Sequence, residues 1–182
     1  MHFLLIHGTG GNPNEAWFPW LKKALMAYDY DVVAPQFPTP IGQNLNNWMK
    51  VAEKHYDLFD EDLVVIGRSV GAAFIPTLLE KAPIKKPIKA AFLVAGFCSD
   101  LHLPAFKDLV STFIEKDFNW PLIRSRCEKF FVYNSQDDPL VKPKYGKELA
   151  DNLGVEMNLF QHQQHFWFSK FPPILQDIRS LV

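Results

Sequence analysis

The pentapeptide Gly67-Arg68-Ser69-Val70-Gly71 sets a serine between two glycines. This is the Gly-x-Ser-x-Gly pattern of a nucleophile elbow, a tight strand-to-helix turn that lifts the serine Oγ clear of the backbone. A serine hydroxyl is a weak nucleophile; it needs a histidine to take its proton and a carboxylate to orient that histidine. Both residue types follow in the chain order Ser, Asp, His that such an elbow uses. They stand in Ser135-Gln136-Asp137-Asp138-Pro139 and in Gln161-His162-Gln163-Gln164-His165-Phe166. Near the other end, His7-Gly8-Thr9-Gly10-Gly11-Asn12 is a loop whose backbone N–H groups can converge on an anion. A tetrahedral acyl intermediate needs two such donors, one from a loop of this kind and one from the residue after the serine. Thr9 and Val70 are the candidates, each through its backbone N–H.

Every one of these patterns has a plainer explanation. At an average glycine usage of about 7%, Gly-x-Ser-x-Gly arises by chance in roughly one chain in twenty of this length. A carboxylate ahead of Pro143 can simply cap a turn or a helix, and either Asp137 or Asp138 can orient the base, with Asp138 favoured. His162-x-x-His165 could hold a metal, but no third ligand of suitable spacing accompanies the pair. The glycine-rich loop has neither a Gly-Lys-Ser/Thr ending nor a Gly-x-Gly-x-x-Gly pattern, which argues against a phosphate loop. His7 is expected to shape that loop rather than to catalyse. His2, His102 and His55, the last on a packed helical stripe, are expected to stay outside the chemistry.

Short apolar runs alternate with helical patterns along the chain, and they give the motifs their setting. The runs are Phe3–Ile6, Asp31–Ala34, Leu63–Ile66, Ala90–Ala95, Phe130–Asn134 and Val155–Phe160. Runs that are apolar on both faces suit strands covered by helices on both sides, and regular alternation with helices implies parallel pairing. The spacing predicts an α/β fold of three layers, with about six mostly parallel strands in the order 2-1-3-4-5-6. In that order the turns after Ile6 and Ile66 face one crevice at the carboxyl ends of the strands. Helical spacing also links Trp17, Trp20, Leu21, Ala24, Leu25 and Tyr28, and likewise Trp48, Val51, Ala52, His55 and Phe59. A helix should follow the serine to about Lys81, and a last one should span roughly Pro173–Leu181.

The 182 residues are 48% hydrophobic and 21% charged with a formal net charge of −1, which suits one globular domain over 1–182 and indicates neither disorder nor a fibrous repeat. No basic run exceeds two residues, as at Lys85-Lys86, so nucleic acid is not an expected partner. The opening Met1-His2-Phe3-Leu4-Leu5-Ile6 has no charged leader region and is expected to be a strand rather than a signal peptide. No apolar run reaches membrane-spanning length. A cytoplasmic location follows as the default expectation. Cys98 and Cys127 are too few for a disulfide framework and should be buried, reduced thiols.

Taken together, the motifs resemble the small α/β-hydrolases of the YdeN and retinoblastoma-binding-protein-9 type, a family of serine hydrolases. The likeness spans nearly the whole chain. It includes the first strand with His7-Gly8-Thr9, Trp17-Phe18-Pro19-Trp20-Leu21-Lys22-Lys23, Pro38-x-Pro40 with Trp48, the elbow, Val94-Ala95-Gly96-Phe97, Ser135-x-Asp137-Asp138 and His165-Phe166. It implies a minimal α/β-hydrolase fold, Asp138 as the carboxylate and His165 as the base. Departures from the family pattern are Arg68 where histidine is commoner, Lys142 where proline is usual, and Gln163-Gln164 where glycines precede the base.

The expected activity is hydrolysis of a small carboxylic ester, thioester or amide through an acyl-enzyme, with no metal or organic cofactor required. A small-molecule ester is the expected partner. The segment from Phe97 to Glu128 is the only room for a lid; within it Phe97, Leu103, Phe106, Phe113, Phe118 and Trp120 are candidates to wall an acyl pocket, although core packing suits most of them. The rival class is a non-catalytic protein-binding module that keeps the hydrolase fold, but no Leu-x-Cys-x-Glu docking pattern is present. A further rival keeps the fold and changes the chemistry, as in a cofactor-free lyase or peroxidase.

Overall fold

The computed structural model describes residues 1–181. The apolar runs form six strands: β1 (His2–Ile6), β2 (Asp31–Val33), β3 (Leu63–Arg68), β4 (Ile88–Val94), β5 (Cys127–Ser135) and β6 (Met157–Phe160). They make one sheet in the order β2-β1-β3-β4-β5-β6, and every pairing is parallel. All six residues of β3 are buried, as a strand sandwiched between helical layers must be. The edge strand β6 is the opposite case: none of its four residues is fully buried.

Seven α-helices cover the sheet: α1 (Phe18–Met26), α2 (Leu45–Ala52), α3 (Val70–Lys81), α4 (Lys107–Ile114), α5 (Trp120–Ser125), α6 (Pro143–Leu153) and α7 (Pro172–Arg179). Helices α2, α4 and α5 pack against α3, and α5 packs against α6, so these five form one layer. On the other face, α1 and α7 enclose an aromatic cluster in which Phe171 touches Trp17, Tyr133, Phe160 and Phe166. Tyr133 donates from its hydroxyl to Asp177, which ties β5 to α7. A strand order that turns back between β1 and β3, with the right-handed crossovers that parallel strands require, accounts for this division.

Local chemistry accounts for the element ends. Asn44 caps α2 by accepting from the Asn47 N–H at 2.9 Å. The helical stripe through Trp48 to Phe59 is not one helix, because α2 stops at Ala52 and a 3-10 turn over Glu53–Leu58 follows with His55 at φ −124°. His55 is half-buried there. Strand β5 extends three residues earlier than its apolar run, to Cys127, whereas β6 begins two residues later than expected, at Met157. The segment after β4 folds into a 3-10 turn (Pro104–Phe106) and the two short helices α4 and α5. Cys98 and Cys127 are free and buried, and burial pushes each thiol up to about 12. Among the described residues no helix is long and apolar enough to cross a membrane.

Candidate active site

The elbow exists because two glycines let backbones meet where no side chain fits. A Cβ on Gly67 would stand 2.5 Å from the Gly71 carbonyl oxygen, and one on Gly71 would stand 2.3 Å from that of Ile6. Between them Ser69 is held at φ 57°, ψ −123°, a conformation that costs a non-glycine residue of the order of 1–3 kcal/mol. The Ser69 N–H donates to the Val94 carbonyl at 2.9 Å, anchoring the strained residue to β4. The turn delivers Val70 as the first residue of α3, where helix N–H groups lack intrahelical acceptors and the helix dipole favours negative charge.

Most amides of the His7–Gly11 loop are already engaged. Gly8 N–H donates to Glu15 Oε1 at 2.9 Å, Gly10 N–H to Thr39 Oγ1 at 2.6 Å, and Gly11 N–H to the Gly8 carbonyl at 3.1 Å. Among the described residues, the amides of Thr9 and Val70 have no hydrogen-bond partner. His7 lies fully buried beneath the loop. Its Nε2 accepts from the Phe37 N–H at 3.0 Å, so its Nδ1–H is the one that donates to the Gly8 carbonyl at 2.9 Å. Burial holds its pKa below the ordinary histidine value. A neutral His7 braces the loop from below, and it is not among the residues lining the cavity at Ser69.

At the other edge of the sheet, Asp138 and His165 meet. His165 Nδ1 lies 2.8 Å from Asp138 Oδ2, with both residues at most 3% exposed. The other carboxylate oxygen accepts from the N–H groups of Leu140 at 2.8 Å and Val141 at 3.0 Å. Asp137 points elsewhere: it accepts from Ser135 Oγ at 2.5 Å and from the Gln164 N–H at 3.1 Å, while Ser135 Oγ accepts from the Gln163 N–H. Those contacts hold a turn in which His162, Gln164 and Phe166 all have positive φ, between 48° and 60°. Phe166, 1% exposed, plugs into the Phe171 cluster and pins the turn to the core. His162 is exposed, and among the described residues no three His, Cys, Asp or Glu side chains gather as a metal site.

Ser69, His165, Thr9 and Arg68 line a cavity of about 210 Å³. Phe97, Leu101, Leu103, Phe106 and Val110 supply an apolar wall from the segment after β4, and Leu140, Val141 and Trp167 complete the lining. Trp167 is half-exposed, with its ring centroid 5.4 Å from that of His165. Thr9, Ser69 and His165 thus line one cavity, and Asp138 reaches it through its contact with His165; among the described residues no hydrogen bond joins Ser69 Oγ to His165. The matched family model is that of the serine hydrolases, over residues 3–171.

The chain belongs to the serine hydrolase family. It is 27% identical over 162 residues to the YdeN protein of Bacillus subtilis, covering 89% of this chain and 84% of that one. The serine hydrolase RBBP9 of Rattus norvegicus is 25% identical over 182 residues, covering 98% of this chain and 94% of the relative. The crystal structure of the B. subtilis ydeN gene product superposes with a TM-score of 0.93 at 26% identity, covering 99% and 97% of the two chains. Est1E of Butyrivibrio proteoclasticus, in a structure with ferulic acid bound, matches with a TM-score of 0.73 at 11% identity over 98% and 86%, a likeness of fold.

Within this serine hydrolase, three of the six aromatic and leucine candidates for the acyl wall line the cavity: Phe97, Leu103 and Phe106. Phe113 instead packs in the core against Trp48 and Phe74, and Phe118 pairs with Trp120. Sequence reasoning missed Leu101, Leu140, Val141 and Trp167 in the lining, because no periodicity marks a loop residue as facing a cavity, and it missed Val110 of α4. It also missed Glu15 and Gln43. Gln43, 6% exposed, donates to Thr9 Oγ1 at 2.8 Å and to the Leu109 carbonyl at 2.7 Å, joining the glycine-rich loop to α4.

Proposed function

We propose that this chain hydrolyses small carboxylic esters through an acyl-enzyme formed on Ser69. In this reading His165 is the base and then the acid, Asp138 orients it, and the N–H groups of Thr9 and Val70 form the oxyanion hole. The observation that carries it is the 2.8 Å contact between His165 Nδ1 and buried Asp138, in a histidine that lines the same cavity as Ser69. With Nδ1–H donated to Asp138, the Nε2 lone pair is left to take the Ser69 Oγ proton. Oγ attacks the carbonyl carbon, and the carbonyl electron pair moves onto an oxygen facing the two amides. Collapse re-forms the carbonyl, and the leaving alkoxide takes the proton from Nε2. Water, deprotonated by the same Nε2, then attacks the acyl carbon; a second collapse releases the acid and returns the proton to Ser69.

Cavity size and character narrow the substrate. An apolar cavity of about 150 Å³ is enough to hold benzene, so about 210 Å³ lined by Phe97, Leu101, Leu103, Phe106 and Val110 suits a short or single-ring apolar acyl group. A long fatty chain exceeds it. The test is turnover of p-nitrophenyl acetate, butyrate and palmitate together with labelling by a fluorophosphonate. Wild type should cleave the short esters and label at Ser69, and Ser69→Ala should lose about 10⁶-fold in kcat. Wild-type protein that neither cleaves nor labels would sink the enzymatic reading in favour of a binding module; label at another serine would sink the assignment of the nucleophile.

A further inference from the structure

Arg68 and Glu15 form a pair that no part of the acyl-transfer scheme uses. Their side chains are 5% and 12% exposed, and they meet fork on fork: Nε donates to Oε1 at 3.0 Å and Nη2 stands 2.8 Å from Oε2. Two charges so withdrawn from water persist only when each is well paired. The pair reaches further than itself. Glu15 Oε1 also accepts the Gly8 N–H at 2.9 Å, and Arg68 Nη1 donates to the His165 carbonyl at 3.1 Å. Space has been left for it as well, since a Cβ on Gly11 would fall 2.0 Å from Glu15 Oε2.

Each contact lands beside a working group. Gly8 precedes Thr9, Arg68 precedes Ser69, and the carbonyl that Arg68 holds belongs to His165 itself. We infer that Glu15 and Arg68 are positioning residues, a charged clamp that sets the oxyanion loop, the elbow and the base loop at fixed separations; this rests on the esterase reading above. The guanidinium suits the task because its planar fork can bind a carboxylate with two donors and still offer a third, whereas an ammonium is a single point charge. With Nε, Nη1 and Nη2 all engaged, Arg68 is tied into the scaffold although its side chain borders the cavity.

Displacement of catalytic groups by about 1 Å can cost about 10²-fold in rate. Glu15→Gln places an amide N–H₂ against a guanidinium N–H, and Arg68→Lys cannot span Glu15 and the His165 carbonyl together. With short p-nitrophenyl esters, each variant should lose about 10²-fold in kcat with KM within about threefold, and affinity for a trifluoromethyl ketone should fall in parallel, since its adduct carries the oxyanion. Lys86→Gln, which breaks the exposed pair with Glu61, should leave both constants unchanged. Unchanged kcat with a lowered Tm would make the pair purely structural and overturn the inference. A raised KM with unchanged kcat would also overturn it, making Arg68 a substrate contact. If wild type cleaves no ester, the esterase reading fails by itself and NMR decides the clamp. In the double variant Glu15→Ala, Arg68→Met, shifted resonances of the Thr9 amide and the His165 ring support the clamp; unmoved resonances refute it.

Discussion

The elbow and the base loop solve one problem, holding a side chain in an unusual pose, by opposite means. At the elbow, in the middle of the sheet, side chains are removed: Gly67 and Gly71 allow β3, α3 and the end of β1 to approach more closely than a Cβ permits. At the base loop, beside the edge strand β6, side chains are retained and the strain is held by contacts. Gln164 and Phe166 sit at φ 48° and 55° without being glycine, and Asp137, Ser135 and the Phe171 cluster oppose their relaxation. Central strands are enclosed by neighbours and can be shaped by subtraction. An edge has fewer neighbours, so its shape has to be added by specific bonds.

This contrast can be broken most forcefully at the paired aspartates. Asp138→Asn should lower kcat by about 10⁴-fold, as loss of the orienting carboxylate does in related triads. Asp137→Asn, which only loosens the turn, should cost about tenfold, and steady-state kinetics on one ester compare the two. At the elbow, Gly71→Ala should destabilise by about 3 kcal/mol or more, because its methyl meets the backbone of β1 rather than a yielding side chain. A urea melt reads this directly. Gln164→Gly should act in the opposite sense: relief of a left-handed residue, about 1–2 kcal/mol, outweighs the added freedom of the unfolded chain, about 0.4–1 kcal/mol. A small net stabilisation should follow, and a lowered Tm would show that the glutamine side chain itself supports the turn.

The mildest effect is one of pH. Burial favours neutral His7, so its folded pKa lies below the unfolded value near 6.5. The unfolded chain then binds the proton more readily. The stability this contributes is present above about pH 6.5 and declines as pH falls below it. His7→Gln should flatten that part of a plot of unfolding free energy against pH.

How far the sequence disclosed these features follows the same contrast. Subtraction is legible: glycines at 67 and 71 around Ser69 mark close approach where they fall between a strand and a helix. The strand order and the extent of α3 were also legible, since they follow from buried apolar runs and right-handed crossovers. The additions were not. Gln163-Gln164 could be seen as a difficulty, but not that Asp137 and Ser135, about 27 residues earlier, resolve it. Arg68 could be seen as a departure from the family, yet its partner lies 53 residues away with no periodicity to connect them. Long-range pairing of polar side chains leaves no local trace.

The two thiols carry a consequence for the conditions under which the protein keeps its form. A thiol held at about 12 stays almost wholly protonated at pH 7, and it is the thiolate that attacks peroxides and disulfides. Burial thereby slows the oxidation of Cys98 and Cys127. Neither thiol is therefore a ready partner for disulfide exchange while the fold is intact.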